Sequence, residues 1–171
     1  MLTGKNIILR ALEPMDVEVL YKWENDTRNW KVSNTLTPYS KEVLDQYIAN
    51  AQLDIYAARQ LRLVIQLING NAVGCIDLFD FEPTHLRAGI GILVAENCEQ
   101  QKGYASEALE LLIRYGFETL YLKQLYCNIS ADNLASFKLF TKHGFEMIGT
   151  KKQWIRSGSS FTDEYFLQLI R

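Results

Sequence analysis

The stretch Gln100-Gln101-Lys102-Gly103-Tyr104-Ala105 joins a predicted strand to the strongest helical pattern in the chain, which runs from Ala105 to Gly116. The backbone N–H groups that open a helix are unpaired and carry partial positive charge, so they attract anions. A glycine at the turn lets an anion approach the backbone closely. The segment therefore predicts a phosphate-binding turn, with an ordinary strand–helix turn as the alternative. It contains neither the Gly-Lys-Ser/Thr of a triphosphate-binding loop nor the G-x-G-x-x-G of a dinucleotide fold.

Apolar periodicity on either side of this turn predicts the order βααβββαβαββ, a mixed α/β (α+β) sheet of about seven strands flanked by about four helices. Asn69-Gly70 predicts a hairpin turn, and Ser40 and Asp132 or Asn133 are candidate helix caps. Residues 26–39 read as irregular. The predicted strands cover residues 7–9, 61–68, 73–81, 90–94, 125–130, 145–155 and 161–170.

Composition limits the class of protein. The 171 residues carry a net charge of −2 and are 48% apolar, as expected for one globular domain spanning 1–171. The mild acidity argues against a nucleic-acid partner. No apolar run is long enough for a membrane span and the N-terminus has no signal-peptide core, so a cytoplasmic protein is expected. Three cysteines and two histidines, widely spaced, predict buried thiols and no metal site.

A second segment follows the first, running from Asn128 through Asn133 and Ser136 to Gly144-Phe145. Together the two segments resemble the acetyl-CoA-binding core of the GNAT N-acetyltransferase superfamily. The first matches that family's Q/R-x-x-G-x-G/A pyrophosphate loop. The second matches its "N…S…(Y/F)…K-x-G-F" element, with the matching positions at Asn133, Ser136, Phe140, Lys142, Gly144 and Phe145.

The N-terminal half extends this resemblance to nearly the whole chain. The stretches Ile8–Asp16 and Trp23–Asn25 are similar to the subfamily of ribosomal-protein N-terminal and spermidine N-acetyltransferases, and Gly74–Asp80 and His85–Ala88 look more like the spermidine enzyme. The resemblance implies a GNAT fold in which the fourth and fifth predicted strands, 90–94 and 125–130, splay apart. It implies acetyl-CoA as co-substrate and a primary amine as acceptor, either a polyamine-like small molecule or a protein N-terminus. A homo-oligomer is also compatible with it.

The resemblance also implies which residues bind acetyl-CoA. Backbone groups of the splayed strand would hold the pantetheine arm and the acetyl oxygen, and the helix start would hold the pyrophosphate. The implied set is Leu93, Val94, Ala95, Gln100, Gln101, Lys102, Gly103, Tyr104, Ala105, Ser106, Asn133, Ser136, Phe140 and Lys142.

Two departures from the family pattern leave the acid and base open. Many relatives have Tyr, the proposed acid for the leaving thiolate, where Phe140 stands, and relatives near the spermidine enzyme tend to have Glu where Gly89 stands. A carboxylate on a mostly apolar strand loses hydration and becomes a better proton acceptor. Asp80 is therefore the first candidate for the acceptor-facing carboxylate and Asp77 the second, with Glu82 also available; a solvated location is the alternative for the two aspartates.

Several further alternatives stay open at this point. Tyr126, Tyr165 or water could donate the proton to the thiolate. His85 reads as a loop residue and His143 as a favourable charge at a helix C-terminus. No cysteine has an adjacent base, which favours direct transfer over a covalent enzyme intermediate. The rival function is a non-catalytic acyl-CoA sensor of the same fold.

Overall fold

A computed structural model describes residues 1–33, 35–51, 53–96 and 102–171. One eight-stranded sheet runs in the order β1-β2-β3-β4-β5-β6-β8-β7. The strands are β1 Leu2–Thr3, β2 Ile7–Ala11, β3 Leu61–Leu67, β4 Ala72–Glu82, β5 Arg87–Val94, β6 Gln124–Ser130, β7 Glu146–Ser157 and β8 Ser160–Ile170. The helices are α1 Val17–Glu24, α2 Thr27–Ser33, α3 Lys41–Asn50, α4 Ile55–Ala58, α5 Tyr104–Glu118 and α6 Leu134–Lys142, with a 3-10 turn at Pro14–Asp16.

The predicted mixed α/β sheet is confirmed, with one more strand than expected. Every neighbouring pair is antiparallel except β5 and β6, which run parallel because α5 crosses between them. The Asn69-Gly70 hairpin also forms: the Leu67 amide donates to the Asn71 carbonyl at 2.8 Å, and Gly70 takes a φ of 98° that favours glycine. The extra strand, β1, has two residues and was too short to show a period.

Helices cover both faces of the sheet. The larger core lies between the sheet and α5 with α6, and its fully buried members include Ile76, Leu78, Leu109, Leu112 and Leu125. The second core joins α1 and α3 to the opposite face through Leu20, Trp23, Leu44, Ile48 and Val64. Each such side chain contributes about 1.5–3 kcal/mol by leaving water. The site described below lies between these two cores.

Two helices were not predicted. Residues 26–39 contain α2, none of whose described residues is buried, so it has no apolar stripe for a period to reveal. Contacts hold it instead: the Arg28 amide donates to Asp26 Oδ1 at 3.0 Å, and Trp30 Nε1 donates to the Glu24 carbonyl at 2.8 Å. The other is the four-residue α4, which begins after its cap, Asp54.

A buried ion pair fixes the entry to α1. Both Asp16 carboxylate oxygens accept from Arg10 at 2.7 Å, and Oδ2 also accepts from the Glu13 amide at 2.8 Å. Burial opposes ionisation of Asp16, but the Arg10 and Glu13 hydrogen bonds outweigh it and hold the pKa of Asp16 below its usual range. This pair links β2 to the 3-10 turn.

We expect Asp16→Asn to lower the free energy of unfolding at pH 7 by about 3 kcal/mol, because it leaves Arg10 without its buried partner. Since the folded-state pKa is depressed, the unfolded chain binds more protons, and wild-type stability falls as pH drops below about 4. The variant lacks this pH-dependent contribution, so the difference in free energy of unfolding between wild type and variant should narrow on acidification. Urea unfolding at pH 7 and pH 3 measures it; a gap that stays constant would contradict the assignment.

Candidate active site

The site begins where β5 and β6 separate. Their parallel ladder joins Arg87 to Gln124, Ala88 to Leu125 and Gly89 to Tyr126, and in the described part of the chain it extends no further. β5 nevertheless continues to Val94 by pairing with β4 on its other side. The two strands thus share three residue pairs and then diverge, which opens a gap within the sheet.

A cleft of about 430 Å³ occupies this gap. It reaches from α6 on one side of the sheet to α2 on the other, so it connects the two helical layers. Its walls are formed by β5 residues Ile90 to Leu93, β6 residues Cys127 to Ser130, the α2 residues Lys31, Val32 and Ser33, the α6 region with Asp132, Asn133, Ser136 and Phe140, and Asp77, Ile155 and Glu164.

The turn that is predicted to bind phosphate leads directly into α5. Gly103 caps α5 in the left-handed region, with φ 88° and ψ −4°, and a Cβ built there would meet no atom of the described residues within 4 Å. The conformation explains the glycine, and the open space in front of it leaves room for an anion. Tyr104, Ala105 and Ser106 form the first helical turn, beside exposed Lys102. Gln100 and Gln101 lie outside the described residues.

The start of α5 touches the end of α6. Ser106 Oγ lies 2.7 Å from His143 Nε2 and accepts from Lys142 Nζ at 3.2 Å. Burial, followed by the charge of Lys142, lowers the pKa of His143. His143 was expected to be a favourable cation at the helix end; the structure gives it instead a neutral tendency and a hydroxyl partner. Two implied acetyl-CoA contacts, Ser106 and Lys142, are therefore adjacent.

Three residues of the second motif, Asn133, Ser136 and Phe140, line the cleft. Asn133 caps α6, and its Oδ1 accepts from the Ser136 amide at 3.1 Å, so that oxygen already serves the helix. Phe140, one turn after Ser136, is 3% exposed and packs edge-on against Phe145 with ring centroids 5.0 Å apart. Its ring reaches the cleft wall without offering a proton. On β5, Leu93 lines the cleft, and Val94 and Ala95 follow it at the strand end.

The carboxylate of Asp77 lies in the cleft wall and is held by a buried arginine. Arg62 Nε donates to Asp77 Oδ1 at 2.7 Å and its second nitrogen donates to Oδ2 at 3.1 Å. A third nitrogen of Arg62 donates to Glu24 Oε1 at 2.7 Å. The three side chains are 18%, 22% and 17% exposed, in the order Asp77, Arg62, Glu24. Burial opposes the charge of Arg62, yet Asp77 raises the pKa of Arg62 well above its ordinary value.

Asp80 lies elsewhere, although the sequence placed it first. A bulge between Phe79 and Glu82 interrupts the alternation of β4, and Asp80 sits in the left-handed region with φ 47°. Its carboxylate accepts from the Tyr126 hydroxyl at 3.2 Å in a separate recess lined also by Arg59, Phe81, Glu82 and Arg87. The expectation that Asp80 faces the cleft before Asp77 therefore differs from the structure, because strand alternation cannot foresee a bulge.

The proposed proton donors are also placed outside the cleft wall. Desolvation, then the charge and hydrogen bond of Asp80, raise the pKa of Tyr126 to about 12, which keeps its proton in place. Tyr165 packs against Phe137 on the α6 side, with ring centroids 5.6 Å apart. His85 is exposed in the β4–β5 loop, as expected.

Three candidate functional residues were not predicted from the sequence. Arg62, Glu24 and Lys31 lie on three different elements, and a pattern within one segment cannot join them. Arg62 did leave a trace in the sequence, since a charged residue inside the apolar strand Leu61–Leu67 needs a buried partner. Lys31 forms an ion pair with Asp132 across the cleft, and it fell within the stretch that was read as irregular.

Comparison with known proteins identifies the family of this chain. The model of a GNAT acetyltransferase domain matches residues 6–146. The chain belongs to the GNAT acetyltransferase family. This confirms the N-acetyltransferase prediction at the level of the family. No helix in the described part of this GNAT chain is long and apolar enough to cross a membrane.

Relatives of this GNAT protein cover most of its length. An uncharacterised N-acetyltransferase of Bacillus subtilis, YnaD, is 24% identical over 99% of this chain and 96% of its own. The spermidine N(1)-acetyltransferase of Escherichia coli K12 is 24% identical over 86% of this chain and 76% of its own. The spermidine N-acetyltransferase of Vibrio cholerae, solved with CoA and spermine, shares the fold with a TM-score of 0.88 at 20% identity, covering 98% and 96% of the two chains. A dodecameric structure of that enzyme aligns over 98% and 95% with a TM-score of 0.79.

Proposed function

We propose that this protein transfers the acetyl group of acetyl-CoA directly to a primary amine. The observation that carries the proposal is the cleft through the split sheet, which reaches from α6 on one side to a fixed carboxylate, Asp77, and α2 on the other. The start of α5 adjoins the end of α6 through Ser106 and His143. A thioester reaching in from the α5–α6 side and an amine entering from the α2 side would meet between β5 and β6.

The residues present fit acetyl-CoA in three places. The amides of Tyr104, Ala105 and Ser106 open α5 behind the exposed Gly103 and would take the pyrophosphate. The β5 edge that faces the gap beyond Gly89 would hold the pantetheine arm. Phe140 and Ile92 would surround the thioester and exclude water.

The chemistry needs few groups. The neutral amine nitrogen attacks the thioester carbonyl, an N–C bond forms, the C–S bond breaks and the thiolate leaves. The ammonium loses one proton before attack, the attacking nitrogen loses a second as the amide forms, and the thiolate takes up one proton to give CoA, so that one proton is released overall. Asp77 would bind and orient the ammonium, and water in the cleft would carry these protons. Much of the rate would come from holding the two substrates together.

The cysteines support direct transfer. Burial raises the pKa of Cys75 to about 12 and that of Cys127 to about 12, so both stay thiols at neutral pH. Cys127 lines the cleft but would be a poor nucleophile. A covalent acetyl-enzyme has no activated group among these two residues.

The acceptor class is a primary amine, on a small molecule or a protein N-terminus. The spermidine N-acetyltransferases among its relatives support the former. The dodecameric neighbour supports a homo-oligomer for this chain, which we include in the proposal. A cytoplasmic location is proposed as well.

Two measurements test the function together. Calorimetry should show saturable acetyl-CoA binding, and a thiol-release assay over a panel of amines should show CoA formed in step with acetylated amine. Binding with no CoA release on any amine or N-terminal peptide would reject catalysis and leave the acyl-CoA sensor. Absence of binding would reject both.

Phe140→Tyr is expected to keep or raise kcat at saturating amine, by up to about 10-fold, because it adds one hydroxyl at the cleft wall and a general acid is worth up to about 10²–10⁴. The ring already fits against Phe145, so acetyl-CoA affinity should change less than threefold. Phe145→Tyr, which alters the other ring of the pair, is the control and should not raise kcat. A large loss of acetyl-CoA affinity in Phe140→Tyr would show that the ring is only core.

A further inference from the structure

The acidic side chains of the cleft wall are already matched to basic ones. Three carboxylates line it: Asp77, Asp132 and Glu164. Asp132 forms an ion pair with Lys31, and Glu164 accepts from Lys151 Nζ at 2.7 Å. Asp77 shares Arg62 with Glu24. No described carboxylate in the cleft wall is without a cation.

The charges balance differently at the three positions. Lys31 with Asp132 and Lys151 with Glu164 are one-to-one pairs and sum to zero. Arg62 faces two carboxylates, so the cluster of Glu24, Arg62 and Asp77 keeps one negative charge. That cluster is about four-fifths buried, where an uncompensated charge is costly. One ammonium beside Asp77 would neutralise it.

The cluster also has room for such a group. Asp77 pairs across the ladder with Gly91, and a Cβ built on Gly91 would lie 3.9 Å from Asp77 Oδ2. The glycine has no side chain, so the carboxylate edge is open to the cleft at this point. Both residues line the cavity.

Any further ammonium group of a polyamine in the cleft would lie near lysine side chains. Lys151 is held in place, since it also donates to Asn128 Oδ1 at 2.9 Å and lies over the rings of Trp154 at 5.3 Å and Phe166 at 6.0 Å. Lys31 belongs to α2 and spans to Asp132 on the far wall. A polyamine would have to displace these side chains from their carboxylates, because like charges repel within a Debye length of about 8–10 Å.

Resting on the proposed acetyl transfer, we propose that the acceptor carries a single positive charge, bound at the Glu24–Arg62–Asp77 cluster, and that polyamines are poor substrates. The body of the acceptor is uncharged, and it lies against the apolar side chains of the cleft wall, which include Val32 and Ile155. The chain would then differ in substrate class from its spermidine-acetylating relatives, although it shares their fold.

Steady-state kinetics that compare a monoamine with a diamine of the same length and with spermidine test the single-charge proposal directly. At fixed ionic strength, pentylamine should exceed cadaverine and spermidine in kcat/KM by at least about 10-fold. Equal or greater kcat/KM for spermidine would overturn the proposal. If no amine is acetylated while acetyl-CoA binds, the proposed function has failed instead, and the two failures are thereby distinct.

A variant that removes the lysines gives a second, gain-of-function test. Lys31→Met with Lys151→Met frees Asp132 and Glu164, so the ratio of kcat/KM for spermidine to that for pentylamine should rise about 10-fold. The matched control is Lys41→Met with Lys152→Met, whose lysines pair with Glu18 and Asp163 outside the cleft and change the net charge equally. The same rise in the control variant, or no rise in a folded Lys31/Lys151 variant, would contradict the proposal that these two lysines exclude polyamines. If the Lys31/Lys151 variant does not fold, the wild-type comparison of pentylamine, cadaverine and spermidine decides.

Discussion

Replacing Gly103 with Trp is expected to weaken acetyl-CoA binding about 100-fold, which corresponds to about 2.7 kcal/mol. The glycine has φ 88°, a Cβ there would meet no described residue within 4 Å, and the first turn of α5 follows it directly. An indole there would occupy the position of the pyrophosphate and cover the amides. The strain of a left-handed tryptophan adds only about 1–2 kcal/mol to the cost of folding. Calorimetry with acetyl-CoA and a thermal melt measure the two effects separately.

Gly70→Trp is the matched control. Gly70 also has a positive φ, 98°, and a Cβ there also meets nothing within 4 Å, but it lies in the β3–β4 hairpin and outside the cleft wall. It should destabilise the protein to a similar degree and leave acetyl-CoA affinity unchanged. If folded Gly103→Trp binds acetyl-CoA as tightly as this control, the phosphate-binding turn is disproved.

Asp77→Asn should lower kcat/KM for the best amine about 100-fold and leave acetyl-CoA affinity intact. The amide keeps the size of the side chain and one acceptor for Arg62, while Glu24 still balances that cation, so the fold should persist. The site loses the negative charge that holds the ammonium. Steady-state kinetics and acetyl-CoA titration of the variant provide the comparison.

Salt dependence then separates two roles for Asp77. A loss that shrinks as ionic strength rises indicates electrostatic attraction of the amine, whereas a loss independent of salt indicates proton transfer. Asp80→Asn is the control, because its carboxylate lies in the recess with Tyr126. Full activity of Asp77→Asn on every amine that the wild type acetylates would reject the carboxylate's role and favour a protein N-terminus bound along the cleft.

Helix caps and tight turns could be predicted from the sequence because each depends on a few consecutive residues. The caps at Ser40 and Asn133, the Gly70 hairpin and the Gly103 helix start each depend on a few consecutive residues, and the structure contains all four. Such features can be read from sequence because their hydrogen bonds close within four residues of each other.

The candidate site was harder to predict because its charges meet across the fold. Arg62, Glu24 and Asp77 come from β3, α1 and β4: the sheet register places Arg62 opposite Asp77, and the packing of α1 on the sheet brings Glu24 to them. The position of Asp80 depended on a bulge that leaves no sequence signature of its own. Helix α2 has no buried face, so neither its existence nor its lysine could be inferred from apolar spacing.

The contact between Gly89 and Phe79 constrains how this sequence can change. A Cβ at Gly89 would lie 2.3 Å from the Phe79 ring, so a glutamate there requires that ring to move or to be replaced by a smaller side chain. Either change loses the ring's edge-on packing against Tyr126, whose centroid lies 5.8 Å away. A Cβ built on Gly91 would instead make only ordinary van der Waals contacts, the nearest at 3.8 Å from the Phe79 ring. A carboxylate at position 91 would nevertheless lie beside Asp77, whose cluster with Arg62 and Glu24 already carries one negative charge, so packing opposes a second carboxylate at position 89 and electrostatic repulsion opposes it at position 91.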